Sequence, residues 1–282
     1  MYVQLLFLVT VLLCCYLYFK YSRDRVTVKD WNLSRDGIVV MKNLFTDEQV
    51  HSLKEEVVSG NYESVQSFIQ SDDTVAQRIQ ETLGPSYQFQ DYVWVIQKSA
   101  VHTCHRDNNG DFFNKGQKHP SYTMLVYLED MPSAFGFIPE SHLKENRYED
   151  SLNLVDPLVH IQSKKGDAIL FNANLIHVGT IDEKDDHPRI QMKVTHKDDR
   201  ETLEYYENFH KVLNRDNTVP KWLRKAQKHV SCMMPIVSDL TQEVNKKSAR
   251  GSDNGAEIPL GQKLFSSLYY GDSNFYDLPN AF

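Results

Sequence analysis

The chemistry this sequence could support is concentrated in a few residues. In His105-Arg106-Asp107 the histidine and the aspartate stand two positions apart. On an extended segment alternate residues point to one side, so an imidazole and a carboxylate can share a metal ion. His177 lies in the strand-like stretch Leu175 to Val178, after a turn at Gly166-Asp167 and the apolar run Ala168 to Phe171. A chain returning across a barrel there would bring it to the other two. Two histidines and one carboxylate form the facial triad of non-heme Fe(II) oxygenases, which leaves positions open for cosubstrate and oxygen. The expected metal ligands are therefore His105, Asp107 and His177.

A dicarboxylate cosubstrate such as 2-oxoglutarate also needs a cation at a set distance from the metal. Arg189, twelve residues beyond His177 and opening the next strand, meets that need. Its guanidinium can grip the distal carboxylate through two charge-assisted hydrogen bonds while the keto-acid end chelates iron. Gln191 and Lys193 share its strand face, so Lys193 is a second possible anchor, as in prolyl- and lysyl-hydroxylase-like oxygenases. Tyr92, Gln97, Lys98, Thr123 and Thr180 are candidates for the pocket lining. Each residue also has a structural reading: His177 as a core histidine, Arg189 as a surface ion-pair partner, His105 and Asp107 as a loop pair. Their order and the elements that carry them favour the joint site. Cys104, beside His105, leaves another metal or redox site open as an alternative. No CxxC, HExxH, GxSxG or GxxxxGK[ST] pattern occurs to suggest a different chemistry.

The elements that must position these residues read as mainly β with flanking helices. Asp36-Gly37 precedes the apolar run Ile38 to Met41. Thr46-Asp47-Glu48 then supplies a cap and acidic first turn for a helix with Val50, Leu53, Val57 and Val58 on one stripe. A second helix is predicted over Asp73 to Leu83, stopped by Gly84-Pro85. Strands are predicted at Asp91 to Gln97, Tyr122 to Leu128, Ala134 to Ile138, Leu158 to Ile161, Ala168 to Phe171, Leu175 to Val178 and Arg189 to Val194. Many short strands separated by loops indicate a sandwich or barrel. Beyond Thr195 the pattern turns helical, with Leu203, Tyr206, Phe209 and Leu213 on one face. Lys221, Arg224, Lys225 and Lys228 read as a solvated helix face. Asn245 to Glu257 reads as a loop, and Leu264 to Tyr276 as an aromatic segment docked on the body.

Composition narrows the class further. With 282 residues, 41% hydrophobic and 24% charged, the chain suits one core with attachments. Its net charge of −7 excludes the basic footprint of nucleic-acid binders. Four cysteines are too few for a disulfide scaffold. Cys14 and Cys15 lie in an apolar run, leaving Cys104 and Cys232 as one optional pair. Residues 3–19 contain only Gln4 and Thr10 as polar residues and are followed by Lys20, Arg23, Arg25 and Lys29. This predicts an uncleaved single-pass N-terminal membrane anchor, since the charges follow the run and no small-residue cleavage site appears. The basic flank favours a cytoplasmic body, the sequon Asn32-Leu33-Ser34 the opposite side, so the membrane face stays open.

Several stretches together resemble the phytanoyl-CoA dioxygenase-like family of Fe(II)/2-oxoglutarate oxygenases. They are Asp36 to Val50, His105-x-Asp107, Tyr127 to Asp130 leading to Phe137 to His142, Gly166-Asp167, His177 and Arg189. The resemblance implies a double-stranded β-helix (jelly-roll, cupin-like) core, iron held by His105, Asp107 and His177, and 2-oxoglutarate held by Arg189. It implies oxidation of an unassigned small-molecule, lipid or protein substrate with O2. Where the family often has Pro-Gly-Ser-His, this chain has Pro139-Glu140-Ser141-His142, and nothing indicates an acyl-CoA substrate. The expected organisation is an anchor at 1–20, a linker at 21–33, the oxygenase domain at 34–198 and a helical, loop-rich extension at 199–282. A noncatalytic tethered binding module is the rival from another class.

Overall fold

The computed structural model describes residues 9, 10, 12, 16, 24–98, 100–107, 110, 114, 116–143, 157–181, 187–203, 209–233 and 260–276. A one-turn helix, α1 (Leu33–Asp36), opens the body. Asn32 caps it by accepting the Arg35 N–H, and Gly37 closes it in the left-handed region at φ 81°. A Cβ at Gly37 would meet His142 and Leu175 at under 3 Å, so only glycine fits. Strand β1 (Ile38–Met41) follows, then α2 (Asp47–Ser59), α3 (Tyr62–Ser71) and α4 (Asp73–Leu83). Thr46 and Gln49 form a reciprocal capping box on α2, and Asp72 caps α4. The sequence reading placed α2 and α4 but passed over α3, whose Asn61 makes no side-chain cap bond.

The remaining strands are β2 (Tyr87–Phe89), β3 (Trp94–Ile96), β4 (Tyr122–Tyr127), β5 (Met131–Phe137), β6 (Val159–Ser163), β7 (Ala168–Asn172), β8 (His177–Gly179) and β9 (Arg189–His196). One antiparallel sheet runs β1-β7-β4-β9-β2, with β3 also paired to β9, and the other runs β6-β5-β8. Period-two alternation assigns the two faces of the large sheet. Met124, Val126, Ile190, Met192 and Val194 point outward to Leu53, Val57, Ile69 and Ile79 of the helical layer. Leu125, Tyr127, Ile169 and Phe171 point inward and pack with Phe135, Phe137 and Ile161 of the small sheet. Two facing antiparallel sheets with helices outside one of them match the expected jelly-roll-like core.

After β9 come α5 (His210–Leu213), α6 (Lys221–Met233) and α7 (Leu260–Tyr270). Tyr270, Phe275 and Tyr276 are buried in one cluster with Ala100 and Val212. The solvated face expected for α6 is corrected at two positions. Arg224 and Lys228 are buried, and at Lys228 the opposite charge is supplied by Asp24 of the N-terminal segment, 2.5 Å from the Nζ. Tyr206 and residues 245–257 fall outside the described residues.

The expected N-terminal membrane anchor, and with it the single-pass membrane localisation and membrane contact, is not supported. Among the described residues no helix is long and apolar enough to cross a membrane. A span needs about 20 consecutive apolar helical residues. Of residues 3–19 only Val9, Thr10, Leu12 and Tyr16 are described, and the rest lie outside the described residues.

Candidate functional site

His105 and His177 face each other in a one-residue antiparallel bridge at the free edge of β8. The His105 N–H donates to the His177 carbonyl at 2.9 Å and the His177 N–H donates back at 2.8 Å. Their ring centroids are 4.5 Å apart. Two residues on, the Asp107 N–H donates to the Ala173 carbonyl at 2.8 Å, which sets the carboxylate on the same side as His105. Arg106, between them, points the other way. Its buried guanidinium donates to the Ser141 carbonyl at 2.7 Å and to the Asn174 carbonyl, pinning the neighbouring loops. One ligand atom each from His105, Asp107 and His177 lies within 4.8 Å of the others.

The backbone also selects the histidine tautomers. His105 Nδ1 is 2.8 Å from the Thr103 carbonyl and His177 Nδ1 is 2.9 Å from the Leu175 carbonyl. A carbonyl only accepts, so each Nδ1 carries the proton and each Nε2 keeps its lone pair, the form a metal requires. Burial pushes the His177 imidazole down to about 3, with Asp107 opposing, and lowers His105 in the same way. Burial would raise Asp107, but Lys193, His177 and His105 outweigh it and hold the carboxyl well below its usual range. Both imidazoles are thus neutral and the carboxylate charged at neutral pH. Phe135 stacks on His177 at 5.2 Å and Phe171 lies 4.6 Å away, forming an apolar wall. This donor set and its tautomers fit Fe(II).

The inward face of β9 carries Arg189, Gln191 and Lys193. They stand opposite Tyr127, Leu125 and Thr123 of β4, and Ile96 and Trp94 of β3 flank the first two. Arg189 is buried, and among the described residues no carboxylate pairs with it. Burial lowers its pKa, with Tyr127 opposing. Lys193 is committed elsewhere: its ammonium bonds the Asp107 Oδ2, which also accepts the Thr123 hydroxyl, and donates to Thr123 Oγ1 at 2.9 Å.

Among the expected pocket residues, Thr123 therefore reaches the site. Lys98 turns outward to Asp216, and Tyr92 packs with Trp94 and Ile96 beside Phe209. Sequence reasoning missed Trp94, whose ring lies 5.2 Å from the Lys193 Nζ. Its alternation with Tyr92 and Ile96 was the available signal. A second His-His-Asp group, His119, His196 and Asp198, sits nearer the surface. There the His196 Nδ1 accepts the Asp198 N–H at 3.2 Å and caps a short 3-10 helix.

A family model described as Phytanoyl-CoA dioxygenase (PhyH) matches residues 62–190. The family so described is one of 2-oxoglutarate-dependent non-heme iron oxygenases. Over that span, which is less than half of the chain, the sequence is similar to the phytanoyl-CoA dioxygenase family of Fe(II)- and 2-oxoglutarate-dependent oxygenases. No curated protein matches it. It is similar to the solved structure of HygX from Streptomyces hygroscopicus with nickel and 2-oxoglutarate bound, at 18% identity over 58% of this chain and 83% of that one, TM-score 0.46. AviO1 from Streptomyces viridochromogenes Tue57 is similar at 12% identity over 60% and 96%, TM-score 0.43. So is the epimerase SnoN from nogalamycin biosynthesis, at 13% identity over 58% and 78%, TM-score 0.45.

Proposed function

We propose that His105, Asp107 and His177 hold Fe(II), that Arg189 binds the distal carboxylate of 2-oxoglutarate, and that the enzyme couples decarboxylation of this cosubstrate to hydroxylation of a substrate still to be identified. Residues 34–198 would form the oxygenase unit and 199–282 an extension packed on it. The observation that carries the reading is the pairing of a converged His-Asp-His set with a buried arginine that has no carboxylate partner among the described residues. A buried guanidinium is costly without an anion, and a dicarboxylate cosubstrate supplies one. Arg189 and Lys193 are about 13 Å apart along the strand, taking roughly 3.3 Å per residue. Lys193 is engaged at Asp107, so Arg189 is the better anchor for the far end of the cosubstrate.

Iron, when bound, supplies the redox chemistry with oxygen. The protein's part is positioning: the two imidazoles present Nε2, Asp107 presents an oxygen, and Phe135 and Phe171 exclude water from one side. The test is an anaerobic titration of the full chain with Fe(II) and then 2-oxoglutarate, following the visible metal-to-ligand charge-transfer band. The band forms with the wild type and is lost in His105→Ala. A folded wild-type protein with no band and no bound iron overturns the proposal.

A further inference from the structure

The two oxygens of Asp107 are treated differently by the fold. Oδ1 lies 3.5 Å from the His177 Nε2, on the side where the three ligand atoms converge. Oδ2 points away and is taken by the Thr123 hydroxyl and the Lys193 ammonium, which also bond each other at 2.9 Å. Thr123 and Lys193 are direct partners in the β4–β9 register, both buried, so the clamp is built into the central strands. A lysine so placed needs a reason. Desolvation disfavours its charge, and a divalent cation nearby would repel it, unless a carboxylate stands between the two. Asp107 stands there.

We propose that Lys193 and Thr123 are positioning residues for the iron: they hold the outer oxygen of Asp107 so that the carboxylate offers the metal one oxygen only. The inference rests on His105, Asp107 and His177 being the ligands. Its chemical consequence concerns the open positions of the facial triad. Three protein bonds leave room for a chelating keto acid and one further position. A carboxylate gripping the metal with both oxygens would take that last position. The strong donors on Oδ2 remove this option, and they draw electron density from the carboxylate, which makes the metal a stronger Lewis acid.

The full chain is titrated anaerobically with Fe(II), and separately with Co(II), whose visible band intensities report coordination. Thr123→Val removes one hydroxyl at nearly constant volume, Thr123→Ser keeps it, and Lys193→Met removes the cation. Thermal unfolding confirms that each variant folds. Thr123→Val and Lys193→Met are expected to change the Co(II) bands, as the freed carboxylate takes a second position on the metal, and to move Fe(II) affinity by about 10-fold or more, with Thr123→Ser close to wild type. Adding Lys193→Met to Asp107→Ala should weaken metal binding no further, since the clamp acts only through that carboxylate. Affinity for 2-oxoglutarate at saturating metal should move by less than about threefold. Unchanged metal binding with loss of 2-oxoglutarate binding in Lys193→Met would make the lysine a cosubstrate anchor and overturn the proposal, as would wild-type behaviour in both readouts. Wild-type iron binding by His105→Ala would instead remove the ligand assignment beneath it, a failure visible without any Lys193 variant.

Discussion

Cys104, the residue before His105, is joined by a disulfide to Cys232 near the end of α6, 128 positions away, with 5.2 Å between the Cα atoms. The Cys104 N–H donates to the Ser231 Oγ at 2.9 Å, so two bonds hold the segment bearing His105 against that helix. Ile138, Leu158, Ile176 and Val178 pack around the sulfurs. Closing so long a loop restricts the unfolded chain strongly. Cys232→Ser should lower the free energy of unfolding by about 2–4 kcal/mol, read by denaturant titration without reductant. A dithiol reductant should bring the wild type to the same value, and equal stability with and without the bond would contradict this.

Arg189→Met should raise the dissociation constant for 2-oxoglutarate by about 10- to 100-fold, the loss expected for charge-assisted hydrogen bonds to a carboxylate. Fe(II) affinity without cosubstrate should stay near wild type, because Arg189 lies at the far end of β9 from Lys193 and Asp107. The charge-transfer band at saturating Fe(II) measures the first quantity, and anaerobic equilibrium dialysis of Fe(II) without cosubstrate measures the second.

Glu140 adopts φ 65°, a left-handed conformation that favours glycine. A side chain there costs about 1–2 kcal/mol in conformational energy. Glycine would relieve that cost but widen the unfolded ensemble, by about 0.4–1 kcal/mol. Glu140→Gly should therefore stabilise the protein by roughly 0.5–1 kcal/mol, seen as a higher denaturant midpoint with unchanged slope.

Asp24 joins the N-terminal segment to α6 and β6. Its Oδ1 lies 2.5 Å from the Lys228 Nζ and 3.4 Å from the His160 Nε2, and its Oδ2 accepts the Ser133 hydroxyl at 2.8 Å. Burial acts to raise its pKa, yet His229 at 3.8 Å and the charges of Lys228 and His160 hold it far below the normal range. Asp24→Asn leaves Lys228 buried without its anion and should cost about 3–5 kcal/mol of stability. Adding Lys228→Met should recover part of that loss, and a double variant no more stable than the single one would count against the pair.

His102 is fully buried, its Nε2 donating to the Gln227 Oε1 at 2.9 Å while its Nδ1 accepts from the Asn217 amide at 3.3 Å. Burial depresses it from 6.5 to about 4. The unfolded chain then binds a proton that the folded one refuses. Stability is complete above pH 6.5, falls as the pH drops from 6.5 toward 4, and levels off below. The span amounts to about 3 kcal/mol. Denaturant titrations at pH 7 and pH 4.5 should differ less in His102→Gln, by most of that amount.

Parts of this protein were legible from its sequence because they depend on neighbours. The period of two in His105-Arg106-Asp107 sets the imidazole and carboxylate on one side and Arg106 on the other, whatever lies beyond. Thr46 and Gln49 mark the start of α2, and Gly84-Pro85 the end of α4, through local hydrogen bonding and φ/ψ limits. The order and types of His105, Asp107, His177 and Arg189 made an iron and 2-oxoglutarate site the natural expectation. What the sequence could not decide was which distant groups meet once water is excluded. Lys228, on a stretch that reads as a solvated face, is buried against Asp24, 204 residues away. Cys104 finds Cys232, and the Asp107 Oδ2 is taken by Thr123 and Lys193 from two strands that pair only when the sheet closes. Charge and hydrogen-bonding capacity are written in the chain. Their pairing is set by burial, because a polar group removed from water must find its partner among whatever residues the fold brings beside it.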